Sequence, residues 1–332
     1  MRIARMHLNE SPFEPSKHIS SLLSKYVNTL NLYHVEELEE EFLKKLSSYT
    51  KLPREYIHIF PGSSEALITL IRFCRSRGLR LTSIWPSFHG FVEFANMEEA
   101  NLDFIYLTPE SFELDLAKLA VAGSYSRAIY LANPNNPTSN MLFQDVDTLE
   151  LLLNRFGLVI VDEAYFEFSR YTVADRVSDY DNLIVVRTFS KAFSIAGARV
   201  GYTIANQELS EELSRYTALF STSTASIASA LGALEDVEYA MEVVRKVIEL
   251  RDELKRDVEK LGLYSLDSRT NFLFIKTPIL GRDLARNLGE KGIRVRAYSD
   301  DLIKNYLRVS VSSRENNLRF IEALKILLRE HY

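Results

Sequence analysis

Two hydrophobic periods alternate along the chain. In VEELEEEFLKKL (35–46) the apolar positions Val35, Leu38, Phe42 and Leu46 recur every three or four residues between charged ones, which predicts an amphipathic helix. Between helical stretches stand short runs with few polar positions: LTSIW (81–85), LDFIYL (102–107), RAIYLA (127–132), LVIVDE (158–163) and NLIVVRT (182–188). Runs of this length and composition predict strands buried on both faces. Their alternation with helices predicts a largely parallel sheet with helices on either side.

Near residue 205 the rhythm changes. Residues 206–220 and 237–261 read as helices, the second long and charged. TNFLFIKT, IRVRAY and YLRVSV then supply three strands, with helices at 281–291 and 313–330. The expected architecture is α/β: a large domain (31–245) with a mostly parallel mixed sheet flanked by helices, and a small α+β C-terminal domain. The small domain is expected to comprise residues 246–332 and to take up residues 1–30, with the boundary inside the long helix. There is no internal repeat and no low-complexity tract.

Composition changes this picture little. The chain of 332 residues is 46% hydrophobic and 26% charged, typical of a globular protein with a sizeable core. A net charge of −5 with basic residues spread along the chain suggests neither a nucleic-acid nor an anionic-membrane partner. The single cysteine, Cys74, lies in the helical stretch ALITLIRFCRSRG, reads as a small buried residue, and rules out an intrachain disulfide. No leader or uninterrupted apolar span is evident, so the cytoplasm is the expected compartment.

Candidate chemistry collects where an open α/β sheet binds its ligands, beyond the carboxyl ends of the strands. RAIYLANPNNPTS ends one strand near Asn136. LVIVDEAY ends another at Asp162, with Tyr165 following. LIVVRTFSK ends a third with Thr188, Ser190 and Lys191, and Arg199 comes eight positions later. PGSSEALITLIRF is a Gly-Ser-Ser turn opening a helix whose free N–H groups suit a phosphate. Taken singly, each has an ordinary reading as a surface lysine, a cap, a turn or an N-cap. Together they are the parts that hold pyridoxal 5′-phosphate. A lysine can form a Schiff base with its aldehyde, and a carboxylate can keep its pyridine nitrogen protonated. A tyrosine and an asparagine can hydrogen-bond its ring oxygen, while hydroxyls, a helix N-terminus and an arginine take its phosphate.

In NPNNPT, VDEAYFEF and RTFSKAFSIAGARVGY, and from LNESPF (8–13) to LRVSVSSRE (307–315), the chain resembles the fold-type I pyridoxal-phosphate aminotransferases. Within them it is most similar to the histidinol-phosphate aminotransferases. The resemblance implies that Lys191 is the Schiff-base lysine and that Asp162 faces the pyridine nitrogen. Tyr165 and Asn136 bond the ring oxygen, and Ser63, Ser64, Thr188, Ser190 and Arg199 surround the phosphate. Phe88, in WPSFHGF, matches the aromatic that stacks on the ring; core packing is its alternative. Tyr33 matches a tyrosine that reaches the phosphate in a neighbouring subunit, which implies a homodimer with shared sites. Arg308 and Arg296 resemble arginines that hold the substrate's anionic groups. An arginine within the apolar strand YLRVSV calls for an anion. Arg296 also reads as a solvated strand end, and Asn271, in TNFLF, as a turn residue. No metal is implied.

The activity implied is ping-pong transamination between a small amine, histidinol phosphate first of all, and a 2-oxo acid, 2-oxoglutarate. A threonine-phosphate decarboxylase or a broad aromatic aminotransferase on the same scaffold are the alternatives. The sequence departs from the family at Ser139 and Ser312, where glycine is usual, at Ser64, where aspartate is common, and at His34, where proline is common. Only seven residues precede Leu8, so the arm that closes over the substrate in many relatives is expected to be missing.

Overall fold

The computed structural model describes residues 3–124 and 126–329; the tip of the helix expected to reach residue 330 lies outside them. Strand β1 (Ala4–Met6) belongs to a small sheet completed much later in the chain. The next seven strands build the large one: β2 (Ile57–Phe60), β3 (Arg80–Trp85), β4 (Leu102–Tyr106), β5 (Arg127–Ala132), β6 (Leu158–Asp162), β7 (Leu183–Thr188) and β8 (Gly201–Ile204). Their order is β2-β8-β7-β6-β5-β3-β4. Only β8 runs antiparallel to its neighbours, β2 and β7. All five residues of β6 and all six of β7 are buried. Burial of a central parallel strand on both faces explains why these stretches read as apolar runs rather than as alternation.

The small sheet combines β1 with β9 (Phe272–Lys276), β10 (Ile293–Ala297) and β11 (Tyr306–Ser310), in the order β1-β10-β11-β9. β1 is parallel to β10, and β11 is antiparallel to both of its neighbours.

Helices cover both sheets. They are α1 (His18–Tyr26), α2 (Glu36–Thr50), α3 (Ser63–Ser76), α4 (His89–Met97), α5 (Leu116–Ala122), α6 (Val146–Arg155), the single turn α7 (Phe166–Ser169), α8 (Gln207–Ser214), α9 (Thr224–Leu234), α10 (Val237–Lys260), α11 (Gly281–Glu290) and α12 (Arg314–Arg329). In α2, Leu38, Phe42 and Leu46 are buried, as their spacing predicts, and Val35 stands at the N-cap.

The long helix α10 contributes to two hydrophobic cores. Ala240, Val243, Val244 and Val247 pack into the core under the large sheet, and Leu254 and Val258 into the core of the small one. In the N-terminal segment, the strand and the first helix pack in different places. β1 joins the small sheet, whereas α1 packs on α9, with Ile19 and Leu22 buried in the large core.

Two other expectations shift. The helix expected over 206–220 ends at Ser214, and α9 is a further helix, nearly all buried and capped by Ser223. β2 and β8 are four-residue strands that periodicity did not mark.

Candidate active site

The carboxyl ends of β5, β6 and β7 open into a cavity of about 310 Å³. Its walls bring together eleven of the fourteen expected site residues: Ser63, Ser64, Phe88, Asn136, Asp162, Tyr165, Thr188, Ser190, Lys191, Arg199 and Arg308.

At one end, α3 begins without a side-chain cap, so its first N–H groups remain available beside Ser63 and Ser64. Two glycines allow this turn to lie close to its neighbours. Gly62 has φ +89, and a Cβ there would fall 2.6 Å from Arg199 Nη2. A Cβ at Gly201 would fall 2.4 Å from the Ser63 nitrogen. Arg199, itself at φ 52, donates from Nη1 to the Ala196 carbonyl (3.2 Å). Thr188 Oγ1 donates to Ser190 Oγ at 2.9 Å and accepts from the Ser190 N–H at 3.1 Å. Hydroxyls, a guanidinium and unpaired helical N–H groups around one end of a cavity are the donor set of a phosphate site.

At the floor, Asp162 is almost wholly buried. Tyr130, stacked on Phe91 with ring centres 3.8 Å apart, donates its hydroxyl to Asp162 Oδ2 at 2.9 Å; the Ala164 N–H donates to Oδ1 at 3.0 Å. Burial outweighs these bonds and pushes the carboxyl up to about 6. Behind it lies a buried ion pair. Arg187 donates from Nε and Nη2 to Glu163 Oε2 at 3.0 and 2.9 Å, and its guanidinium sits 3.8 Å from the Phe166 ring centre. Thr172 and the Val173 N–H complete the Glu163 carboxylate's bonding, so this buried pair is both charge-matched and hydrogen-bonded.

Lys191 opens on the cavity but is otherwise ringed by protein. Its Nζ donates to the Asn9 and Leu8 carbonyls at 3.1 and 3.3 Å. Burial, and next the charge of Arg308, push the ammonium down to about 8. This is not the setting of a solvated lysine. Tyr165 accepts from Asn9 Nδ2 at 2.9 Å, and burial pushes its phenol up to about 12. Arg308 donates from Nη1 to Asn136 Oδ1 at 2.8 Å and from Nη2 to the His7 carbonyl at 2.5 Å, while its Nε has no partner among the described residues. Phe88 lines the cavity while packing edge-on to Phe94, with ring centres 6.4 Å apart.

Residues 14–324 match the family described as aminotransferase class I and II. The chain belongs to that family. It is 33% identical to the histidinol-phosphate aminotransferase of Sulfurisphaera tokodaii over 94% of this chain and 86% of that protein. The histidinol-phosphate aminotransferase of Pyrococcus furiosus is 30% identical, over 97% of this chain and 91% of that one. Among solved structures, the histidinol-phosphate aminotransferase of Sinorhizobium meliloti in complex with pyridoxal-5′-phosphate superposes with a TM-score of 0.89. It is 25% identical, over 100% of this chain and 92% of that one. The fold is thus that of the fold-type I aminotransferases, and aminotransferases of this family work with pyridoxal phosphate. The cavity fits that coenzyme: it is lined by a phosphate cradle, a buried carboxylate, and a lysine that makes no ion pair among the described residues.

Three expected residues lie elsewhere in this aminotransferase. Tyr33 is 87% exposed and stacks on Phe220 at 6.0 Å, away from the cavity. Arg296 pairs in register with Arg308 across β10 and β11, so the two stand on the same face of the small sheet, but Arg296 lies one strand further out, beside Tyr298. Asn271 is buried behind the wall, where its Nδ2 donates to the Asn9 carbonyl at 3.0 Å.

Sequence reasoning missed Asn9 and Tyr130 as site residues. Asn9 was within the LNESPF motif. Tyr130 sits two residues before the end of β5, on a strand already read as buried, where a polar tip needs a partner. Ser139, where the family pattern has glycine, takes φ 70, and its hydroxyl is buried without a partner among the described residues. The backbone keeps the left-handed turn that glycine would supply, at the cost of a strained side chain.

Proposed function

We propose that this aminotransferase transfers the amino group of histidinol phosphate to 2-oxoglutarate, giving imidazole acetol phosphate and glutamate, in the cytoplasm. The observation that carries the reading is Arg308. It is a guanidinium lining the cavity whose Nε has no partner among the described residues, in a chain about 30% identical to histidinol-phosphate aminotransferases along most of its length.

Pyridoxal phosphate, linked through its aldehyde carbon to Lys191, would supply an electrophilic carbon for the amino group and a protonated ring that withdraws electrons. The chain's own residues do the rest. Once released from the coenzyme, Lys191 Nζ would be placed to move a proton at the substrate carbon, and burial, which lowers its pKa to about 8, would make the free amine easier to reach. Asp162 would present an anionic oxygen to the ring N–H, whose positive charge would favour the ionised carboxyl. Tyr165 and Asn136 would donate to the ring oxygen, Phe88 would pack against the ring, and Ser63, Ser64, Thr188, Ser190 and Arg199 would hold the phosphate. Arg308 takes the substrate's anionic group, with Arg296 on the same sheet face as the outer arginine. Asn271 acts through the Asn9 backbone.

Tyr33 has no role within its own cavity. In this reading the chain is a homodimer, and the exposed apolar group around Tyr33 and Phe220 is where the second copy sits, each Tyr33 reaching the partner's phosphate site.

The test offers histidinol phosphate, threonine phosphate and phenylalanine to the coenzyme-loaded enzyme, following bleaching of the bound coenzyme and the products formed. Histidinol phosphate is expected to bleach it at the lowest concentration and to yield the keto product. Carbon dioxide from threonine phosphate, or a preference for phenylalanine, would overturn the assignment.

A further inference from the structure

Asn9 is 2% exposed and touches both halves of the site. Its backbone N–H donates to Ser310 Oγ at 2.9 Å, and Ser310 returns its own proton to Asn9 Oδ1 at 2.8 Å. That exchange orients the amide. The reverse orientation would set two N–H donors on the Ser310 oxygen, take from Ser310 this acceptor for its proton and turn Oδ1 towards Tyr165; the structure has the first orientation. With Oδ1 committed to Ser310, the Nδ2 group points at the Tyr165 oxygen, 2.9 Å away. An amide N–H can only donate, so Tyr165 accepts this bond and its own proton is directed elsewhere. Among the described residues no hydrogen bond takes that proton, and Tyr165 lines the cavity. The Asn9 carbonyl meanwhile accepts from Lys191 Nζ and Asn271 Nδ2.

We propose that Asn9 is a positioning residue: held by Ser310 of the small sheet, it commits the Tyr165 hydroxyl to donate into the coenzyme cavity, and so couples the seating of the N-terminal segment to the donor set around the ring. The proposal rests on the reading above that Tyr165 faces the coenzyme's ring oxygen.

Two substitutions separate this role from simple packing. Asn9→Asp is nearly isosteric and tolerates the φ of 53° at this position. Both of its outer oxygens accept, so Tyr165 would turn its proton to residue 9 and withdraw it from the cavity. Asn9→Gly keeps the backbone geometry, deletes the amide and leaves the Tyr165 proton free. The readout is the pH midpoint of the bound coenzyme's visible absorption. A donor to the anionic ring oxygen favours the deprotonated form of the coenzyme's link to Lys191, so losing that donor raises the midpoint.

Tyr165→Phe and Asn9→Asp are each expected to raise it by about one pH unit or more, and Asn9→Gly by clearly less. In the Tyr165→Phe background the Asn9→Asp shift is expected to shrink to under about a third, because only its charge remains to act. An equal Asn9→Asp shift in both backgrounds, or a larger shift from Asn9→Gly than from Asn9→Asp, overturns the proposal and leaves the Tyr165 assignment standing. An unmoved midpoint in Tyr165→Phe alone defeats that assignment, and this inference with it.

Discussion

Burial holds the Asp162 carboxyl at about 6, above its ordinary 3.8, and the Lys191 ammonium at about 8, below its ordinary 10.5. Both displacements work against folding near neutrality. For Asp162 the unfolded chain gives up its proton first, so the stability present below pH 3.8 is lost as pH rises through about 6. For Lys191 the folded chain gives up its proton first, so the cost is full below about 8 and is relieved as pH rises towards 10.5. Coenzyme-free Asp162→Asn is therefore expected to be more stable than the parent at pH 7 by roughly 1–3 kcal/mol, an advantage that fades towards pH 4. Denaturant unfolding across that range checks it; identical curves at pH 7 would mean that the carboxylate is better solvated than its burial implies. The chemistry of Lys191, Asp162, Tyr165 and Asn136 was legible because each closes or follows a recognisable strand. Asn9 was not, because its partners Tyr165, Ser310 and Lys191 are more than 150 positions away.

At the level of elements, the site depends on one short strand that periodicity did not reveal. β8 lies between β2 and β7, and its first residue, Gly201, faces the opening turn of α3 with no room for a methyl group. Gly201→Ala is expected to push the Ser63 N–H groups off the phosphate position and weaken coenzyme affinity by about tenfold or more, the cost of one or two charge-assisted hydrogen bonds. Titration of the apo-enzyme with pyridoxal phosphate, with circular dichroism as the check on folding, measures this. Four residues are too few to show a period, so neither β2 nor β8 could be separated from loop by pattern alone. Helix α8 shows the opposite failure. Its start carried a legible cap, the Asn206 side chain accepting from the Leu209 N–H at 2.9 Å, but its end at Ser214 did not announce itself in SRYTALF.

For the whole molecule, the notable surface is the apolar group formed by Leu30, Leu32, Tyr33, Leu219 and Phe220. Tyr33 is 87% and Leu219 86% exposed. Such a group is costly to leave in water and, on the homodimer proposed above, is where the second copy would sit. Leu219→Glu combined with Phe220→Glu is expected to convert a dimer into monomers at micromolar concentration in sedimentation velocity, and to lower coenzyme affinity if Tyr33 serves the partner's site. Monomeric parent protein under the same conditions would remove both the interface and the role given to Tyr33.

Local pattern by itself determined most of the elements, the carboxyl-end location of the chemistry and the residue types gathered there, because strand burial, helix periodicity and motif spacing act over a few residues. Only the tertiary structure decided which of the fourteen expected side chains share a cavity, that α1 belongs with α9 rather than with β1, and that residue 9 fastens Tyr165. Those outcomes depend on which apolar faces find each other across long chain separations, and on hydrogen bonds whose donors and acceptors meet only after they do. In the unfolded chain nothing directs an amide near one end towards a phenol in the middle; in the folded one, burial leaves both with no better partner.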